Sequence, residues 1–439
     1  MNITAPPSIW ALAWPITLSN ILLASIGLVQ IVIASDFGAE ATAAISVSQR
    51  VFFVLQATLF GLATGVSALV ARSVGANDLL RAGQTVQSAM LLGLAVSILM
   101  GILCYFWAYD LAGYFDLTGD TKDLATKLIQ WTCLFNPIYA LNIVLTSSMR
   151  GSGDAINPLI LAFITGIGNA LGCIVVSHGL IGVPALGVEG LAIGGTAGSV
   201  LSLAMYSLLW RLGRLKIPYP HMTAIRLKTN RLLRIALPSA IEQTLMNMGF
   251  LVYMIAIAHY GSDALAAYGL GLNILTFIIF VSLGFSTAAA IIVGQYLGRG
   301  QPDIAKQFGW FGWRLCSSVL CSAAIVFFVF SQELAQLLSD DVNVQTFTEL
   351  FFTTVAIAMP FIATDFALGG AIRGAGETKY PLKVSVVSLV LVRFILPFVF
   401  IDMGLSINWM FMLTAADFAI KALFMFVYFR SGKWQHKKI

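Results

Sequence analysis

Charge is the scarcest property of this 439-residue sequence. Only 10% of its residues are charged, whereas 59% are hydrophobic and the mean hydropathy is +0.88. Soluble domains carry roughly 25% charged residues, so this composition excludes a soluble multidomain protein. The long apolar runs suit membrane-spanning helices better than alternating barrel strands. The sequence therefore predicts an all-α integral membrane protein.

Cysteine and histidine are also few, and neither type forms a cluster. The five cysteines lie inside apolar segments without metal-ligand spacing, and we interpret them as small buried side chains. The four histidines lie far apart, at loops or segment ends. We therefore expect no metal site, no cofactor and no enzyme activity. The sequence lacks a P-loop motif, which argues against ATP hydrolysis by this chain.

Twelve apolar segments are long enough to cross a membrane. They lie at roughly 8–34, 43–71, 82–108, 123–149, 157–178, 188–211, 233–258, 266–296, 304–330, 346–372, 380–401 and 406–430. Residues 1–7 lack a positive region and the first segment is too long for a signal peptide, so no cleavable signal is expected.

The stretch from Arg211 to Arg234 fixes the predicted orientation. It contains seven Lys or Arg and no acid, and basic loops between membrane segments stay on the cytoplasmic side. Only Lys122 and Lys127 fall in the opposite loops. We therefore predict a multi-pass protein of the cytoplasmic (inner) membrane with both termini in the cytoplasm.

The basic stretch also marks the midpoint of an internal repeat. An offset of 223 residues aligns Pro15 with Pro238. The same offset aligns six further pairs of identical Gly, Pro or Arg residues. These pairs are Gly38 with Gly261, Gly61 with Gly284, Gly75 with Gly298, Arg150 with Arg373, Gly153 with Gly376 and Pro158 with Pro381. Six spans per copy give both copies the same orientation, related by a pseudo-two-fold axis along the membrane normal.

The repeat predicts two six-helix lobes and their connections. We expect an N-terminal lobe at 1–210, a basic cytoplasmic linker at 211–232, a C-terminal lobe at 233–430 and a basic tail at 431–439. Two such bundles that enclose a cleft are typical of alternating-access transporters. Pro15 and Pro238 lie early in the first span of each lobe and are candidates for gating bends.

Several paired stretches resemble the multidrug and toxic compound extrusion (MATE) family. They are Phe37-Gly-Ala-Glu-Ala-Thr-Ala-Ala44, Leu69-Val-Ala-Arg-Ser-Val-Gly75 and Arg150-Gly-Ser-Gly-Asp-Ala-Ile-Asn-Pro158, with Tyr260-Gly-Ser-Asp-Ala-Leu-Ala-Ala267, Val293-Gly-Gln-Tyr-Leu-Gly298 and Arg373-Gly-Ala-Gly-Glu-Thr-Lys-Tyr-Pro381 in the second half. The resemblance spans about residues 8–430 and rests on the order, doubling and spacing of these motifs. It implies a secondary antiporter that exports cationic or amphipathic organic compounds in exchange for protons or sodium.

The resemblance fails at the acids of the first lobe. Many family members carry Asp where this sequence has Gln30, and an Asn and an Asp where it has Asn169 and Cys173. An amide and a thiol cannot exchange a proton near neutral pH as a carboxylate can. Members with acids in the helices matching spans 7 and 10 often carry them near Met246 and Ile362 instead.

The ionisable residues singled out as lying within the spans, away from the span ends, concentrate in the second half. They are Glu242, Asp365, Arg393, Asp417 and Lys421, with Arg50 in the first half. Charges at this depth cost about 2.5–3.5 kcal/mol each, so each is a candidate for function. Burial in an apolar bundle shifts a carboxylate toward the range where it loads and releases a proton. Glu242 and Asp365 are the ion-coupling candidates, against the alternative that hydroxyls or amides satisfy both.

The remaining charges predict a structural cluster. A buried Arg393 needs a partner, and Asp417 lies within reach on the next helix. Lys421, one helical turn after Asp417, is the alternative partner.

Neutral polar residues of the first lobe either line the cleft or join helices. The candidates are Gln30, Asn136, Asn142 and Asn169. Arg50 either lines the cleft, where it would favour anionic or zwitterionic compounds, or extends to the outer surface. Arg50 keeps one alternative function open, a lipid-linked saccharide or lipid flippase of the same superfamily. We expect small organic substrates, the lipid bilayer and no nucleic acid as partners, and a monomer.

Overall fold

The computed structural model describes residues 8–115, 117–217 and 229–437. Half of the predicted basic linker, at 218–228, and the last two residues of the predicted tail lie outside these ranges. The helices of the described residues are α1 Ile9–Ser35, α2 Ala39–Gly75, α3 Leu79–Phe106, α4 Ala108–Gly113, α5 Gly119–Gly151, α6 Ile156–His178, α7 Glu189–Arg211, α8 Thr229–Ala258, α9 Ser262–Gly298, α10 Pro302–Val329, α11 Ser331–Leu338, α12 Val342–Gly374, α13 Lys379–Ser388, α14 Leu396–Asp402 and α15 Ile407–Ser431. A π-helical segment, Leu389–Ile395, joins α13 to α14 without a break.

Twelve helical stretches of the described chain are long and apolar enough to cross a membrane, which confirms the predicted number. One of them is the continuous stretch Lys379–Asp402. The short helices α4 and α11 are additional and lie between spanning helices. The all-α, twelve-helix class predicted from the sequence is therefore confirmed.

The repeat holds residue for residue across much of each half. Helices α2 and α9 both have 37 residues, α3 and α10 both have 28, and α5 and α12 both have 33, with ends related by the same offset of 223. Gly38 and Gly261 precede α2 and α9 with φ of 96° and 103°. Glycine tolerates this conformation because it has no Cβ. The two copies therefore share backbone geometry even where their side chains differ.

The chain forms two compact units, here called the first and second bundles. The first bundle is Leu18–Ala240, and the second is Met1–Thr17 with Ile241–Ile439. Both boundaries fall inside a helix, α1 and α8, three residues after Pro15 and Pro238 respectively. The predicted lobe limits at 210 and 233 therefore differ from these unit limits. Both proline-containing helices are continuous, so a bend at either proline stays a hypothesis.

The core of each bundle is built from small and aliphatic side chains. Helices α2, α3 and α5 supply most of two apolar clusters in the first bundle, and α9, α12 and α15 supply one in the second. The predicted basic tail adds a buried aromatic residue to the second bundle. Trp434 is fully buried, stacks on Phe429 at 4.7 Å between ring centroids and donates to its carbonyl.

Glycines allow α6 and α7 to pack backbone to backbone. A Cβ added to Gly172 would lie 2.1 Å from the Gly194 carbonyl oxygen. We expect Gly172→Ala to cost about 1–3 kcal/mol of stability because the two helices must separate. Gly166→Ala on the same helix is the control, since no heavy atom lies within 4 Å of its Cβ position. Thermal unfolding in detergent checks this, and equal midpoints for the two variants would contradict it.

Candidate functional site

Asp417 is the centre of a buried charge cluster in the second bundle. Arg393 donates to it from Nε and Nη2, each at 3.1 Å, and Lys421 from Nζ at 3.0 and 3.1 Å. The Ser388 hydroxyl adds a hydrogen bond of 2.6 Å. All three charged side chains are at most 4% exposed. The sequence offered Arg393 or Lys421 as the partner of Asp417, and the structure has both.

Local backbone geometry and aromatic rings position Arg393. It lies in the π-helical segment Leu389–Ile395, where wider backbone spacing reorients side chains relative to an α-helix. Its guanidinium lies 4.8 Å from the ring centroid of Phe250 and 4.9 Å from that of Tyr253. These ring faces stabilise the cation in addition to Asp417. The cluster carries two positive charges and one negative charge.

Glu242 has a fixed cation as its partner. It accepts from Arg373 Nη2 at 2.6 Å and Nε at 3.3 Å, and from the Ser385 hydroxyl at 2.9 Å. A two-point pair between guanidinium and carboxylate is geometrically specific and strong. Direct contact with a cation and a hydroxyl distinguishes Glu242 from an acid that is free to couple ions, and its coupling role stays a prediction. The pair joins α8 to α12.

The sequence interpretation missed Arg373 as a partner. The predicted span ended at residue 372 and placed Arg373 in a cytoplasmic loop, whereas α12 continues to Gly374. Arg373 therefore lies in the last helical turn, and its long side chain reaches Glu242. The repeat pairs Arg150 with Arg373. Arg150 likewise lies in the last turn of its helix, because α5 continues to Gly151.

Asp365 differs from both other acids of this region. It lies on α12, is partly exposed, and has no hydrogen-bond or ion-pair partner within 4 Å in the described part of the chain. The cations whose charges act on it are Lys421 and Arg373, and the acids are Glu242 and Asp417. No single cation contacts its carboxylate directly.

The second bundle balances these charges over six side chains. Glu242 and Arg373 cancel as a pair, while Asp417 leaves one positive charge uncancelled between Arg393 and Lys421. An ionised Asp365 cancels that charge from a distance, and a protonated Asp365 leaves the group at a net +1. One proton on Asp365 therefore changes the net charge of the whole network.

The residues around Gln30 in the first bundle form a neutral network. Gln30 Nε2 lies 3.5 Å from Asn169 Oδ1 and 3.9 Å from Cys173 Sγ, and Gln49 donates to Gln30 at 3.3 Å. Cys173 Sγ lies 3.3 Å from the Leu191 carbonyl oxygen. These groups satisfy one another through neutral hydrogen bonds. The network has no carboxylate among its described members.

Three of the predicted cleft-lining residues join helices. Asn136 is 1% exposed and donates to the Ser97 carbonyl, while Asn169 is 3% exposed and donates to the Gly195 carbonyl at 2.6 Å. Asn142, partly buried, donates to the Ser199 carbonyl at 3.0 Å. These contacts agree with the helix-joining alternative for Asn136 and Asn169, and a place in a cleft stays a prediction. The bonded carbonyls lie on neighbouring helices α3 and α7.

Arg50 is exposed on α2, whereas Gln30 is only partly exposed. Exposure of Arg50 agrees with a side chain that extends to the surface, one of the two predicted alternatives. Gln30 and Asn169 are the two amides of the predicted set that take part in the neutral network described above.

A family profile named MatE matches the chain twice, over residues 15–175 and 238–399. The two matches begin 223 residues apart, at Pro15 and Pro238, which confirms the repeat. The chain belongs to the MatE family. MatE proteins among its relatives include a probable multidrug resistance protein NorM of Thermotoga maritima, which is 22% identical over 98% of this chain and 93% of its own length. An FAD transporter of Shewanella oneidensis is 24% identical over 81% and 79%.

Solved structures share the MatE fold. A MOP superfamily transporter from Pyrococcus furiosus superposes with a TM-score of 0.89 at 17% identity, over 98% of this chain and 96% of that one. A MATE transporter of Vibrio cholerae gives 0.88 at 18% identity, over 98% of both chains. The family and these relatives are transporters, so this MatE chain is a multi-pass membrane transporter.

Proposed function

We propose that this MatE protein is a secondary antiporter that exports organic compounds from the cytoplasm, driven by a proton gradient with Asp365 as the coupling acid. The observation that carries the proposal is the isolation of Asp365. Among the three acids of the charge network, Asp365 is the one that no cation contacts directly, whereas Arg373 holds Glu242 and two cations hold Asp417. A group that must gain and lose a proton in each cycle cannot be locked in one charge state.

The proposed cycle follows from the charge balance. A proton that enters from the outside neutralises Asp365 and leaves the six-residue network at +1, which disfavours a cationic cargo nearby and alters helix packing. Release of that proton to the cytoplasm restores the neutral network and cargo affinity. The multidrug resistance relatives support organic cargo. The FAD transporter among the relatives supports cargo that is not restricted to cations.

The flippase alternative has little support. It predicted helices beyond twelve, and the described residues contain twelve spanning stretches. Arg50, which kept it open, is exposed without any feature that favours a lipid-linked saccharide.

Purified protein in liposomes with a preset pH or sodium gradient tests the proposed function. We expect some added organic compounds to collapse the pH gradient, with no effect in protein-free liposomes. Collapse of the sodium gradient alone would make sodium the coupling ion. Cargo flux that is equal with and without either gradient would contradict exchange and indicate a passive channel.

The neutral cluster of the first bundle gives a separate prediction. We expect Cys173→Ser to retain proton-coupled exchange within about twofold, because a hydroxyl can replace the weak thiol donor to the Leu191 carbonyl. The same gradient-collapse measurement checks it, with Cys316→Ser, a buried cysteine of the second bundle, as the control. Loss of coupling in the Cys173 variant alone would place an ion site in the first bundle.

A further inference from the structure

Arg150 and Arg373 occupy equivalent positions but have different partners. Each lies in the last turn of a 33-residue helix, α5 or α12, and a glycine follows each. Arg373 directs its Nε and Nη2 atoms to the two oxygens of Glu242. Repeat equivalence places Ser19 of the first bundle at the position of Glu242. The first bundle has therefore kept the guanidinium and not its carboxylate.

The same two atoms of Arg150 have no acceptor. Nε and Nη2 are buried without a hydrogen-bond partner in the described residues, while Nη1 donates to Asn20 Oδ1 at 3.3 Å. The titratable group whose charge acts on Arg150 is the Tyr206 hydroxyl, which hydrogen-bonds to Thr146 at 2.6 Å. The undescribed stretches 1–7 and 218–228 contain no Asp or Glu that could supply a carboxylate.

A buried guanidinium edge without an acceptor points to an anionic ligand. Burying a charge without hydrogen bonds is costly, and removal of one partner of a buried pair leaves that cost uncompensated. The planar Nε and Nη2 donors match the two oxygens of a carboxylate or phosphate. The Asn20 amide oxygen accepts from Nη1, the third nitrogen of the same guanidinium, and the amide also carries two N–H donors.

We propose that the first bundle binds a carboxylate or phosphate group of the transported compound at Nε and Nη2 of Arg150, with Asn20 beside it. The assignment of this group to cargo rests on the proposed export function; the anion site itself does not. Such a site favours anionic or zwitterionic cargo, whereas the family resemblance implied cationic or amphipathic compounds. Because both donors are buried here, the ligand enters in a conformation that opens this end of α5.

Fluorescent probes that differ only in one charged group test the site. Purified protein in maltoside detergent is titrated with 2-naphthoate, 2-naphthyl phosphate and neutral 2-naphthamide. We expect the wild type to bind at least one of the two anions about tenfold or more tightly than the amide, since hydrogen bonds to charged groups are the strong ones. Arg150→Gln should abolish that preference, and Arg81→Gln, which removes an exposed Arg of the same bundle, should keep it.

Ser19→Glu is the second variant, and it tests the site even if Arg150→Gln fails to fold. It introduces the carboxylate that Glu242 supplies in the second bundle, so we expect loss of anion preference together with a higher unfolding temperature. Ser19→Gln, of equal size and without charge, should not gain that stability. The double variant Ser19→Glu with Arg150→Gln should lose the gain, because the new acid is then unpaired. Unchanged anion preference in both Arg150→Gln and Ser19→Glu would overturn the proposal.

A lipid phosphate is the other source of the same chemistry. Titration after addition of phosphatidylglycerol separates the two: unchanged naphthoate binding supports a cargo group, and complete competition would overturn the assignment to cargo. The gradient experiment keeps this inference apart from the proposed function. Anion-selective binding without any exchange would contradict the function and leave the site, whereas exchange by Arg150→Gln at wild-type rates for anionic compounds would contradict the site and leave the function.

Discussion

Asp365→Asn is expected to reduce proton-driven exchange to the level of protein-free liposomes while the protein stays folded. Asparagine is neutral, so residue 365 can no longer change the formal charge of +1 carried together by Glu242, Arg373, Arg393, Asp417 and Lys421. A carrier that cannot change its charge with pH cannot exchange a proton for cargo. Counterflow of cargo between two cargo-loaded compartments, which needs no proton, should survive.

The pH dependence of cargo binding gives a sharper readout than activity alone. In the wild type, binding should change as Asp365 gains a proton, since the charges that act on it are Lys421, Arg373, Glu242 and Asp417. In the Asn variant, binding should resemble that of the wild type at low pH and stay constant as pH rises. Asp303→Asn makes the same chemical change at an exposed acid of α10 and should behave as wild type. An Asp365→Asn protein that still collapses a pH gradient would refute the assignment.

Glu242→Gln separates coupling from stability. The amide leaves Arg373 without its charged partner, so we expect lower thermal stability from this variant rather than a selective loss of coupling. A fully stable Glu242→Gln protein with no proton exchange would instead restore Glu242 as the coupling acid.

The backbone of this protein was largely predictable because the sequence contains an internal repeat, so the motifs that mark its helices occur twice. Apolar segment length gave twelve spans, and matched Gly, Pro and Arg positions gave an offset of 223 that α2, α3 and α5 reproduce in α9, α10 and α12. The short α4 and α11 were missed because each is too short to span a membrane and follows a spanning helix directly.

Side-chain partners were predictable only where a charge had few choices. A buried Arg393 needs an acid as its partner, and Asp417 was the acid within reach on the next helix. The partner of Glu242 was missed because the predicted span ended at residue 372, whereas Arg373 lies in the last helical turn and its side chain reaches Glu242. Asn136 and Asn169 were ambiguous because the same amide suits a wet cleft and a neighbouring carbonyl, and only packing decides between them.

Asp417→Asn should be among the most destabilising single changes in the second bundle. It leaves Arg393 and Lys421, each at most 4% exposed, as two buried cations without an acid in contact. Removal of one partner from a buried ion pair costs about 3–5 kcal/mol. We expect low yield and a clearly lower unfolding temperature in detergent at neutral pH. The loss should be similar in low and in high salt, because buried charges are poorly screened.

Loss of one of the two cations is the control for loss of the single acid. Lys421→Met leaves Asp417 paired with Arg393 and hydrogen-bonded to Ser388, so it should cost less than Asp417→Asn. Combined with Asp417→Asn, it removes one of the two stranded cations and should recover part of the lost stability, a coupling that additive effects would not produce. Equal stability of Asp417→Asn and wild type would mean that the two cations find other partners. The six-residue charge balance, and with it the role given to Asp365, would then have to be abandoned.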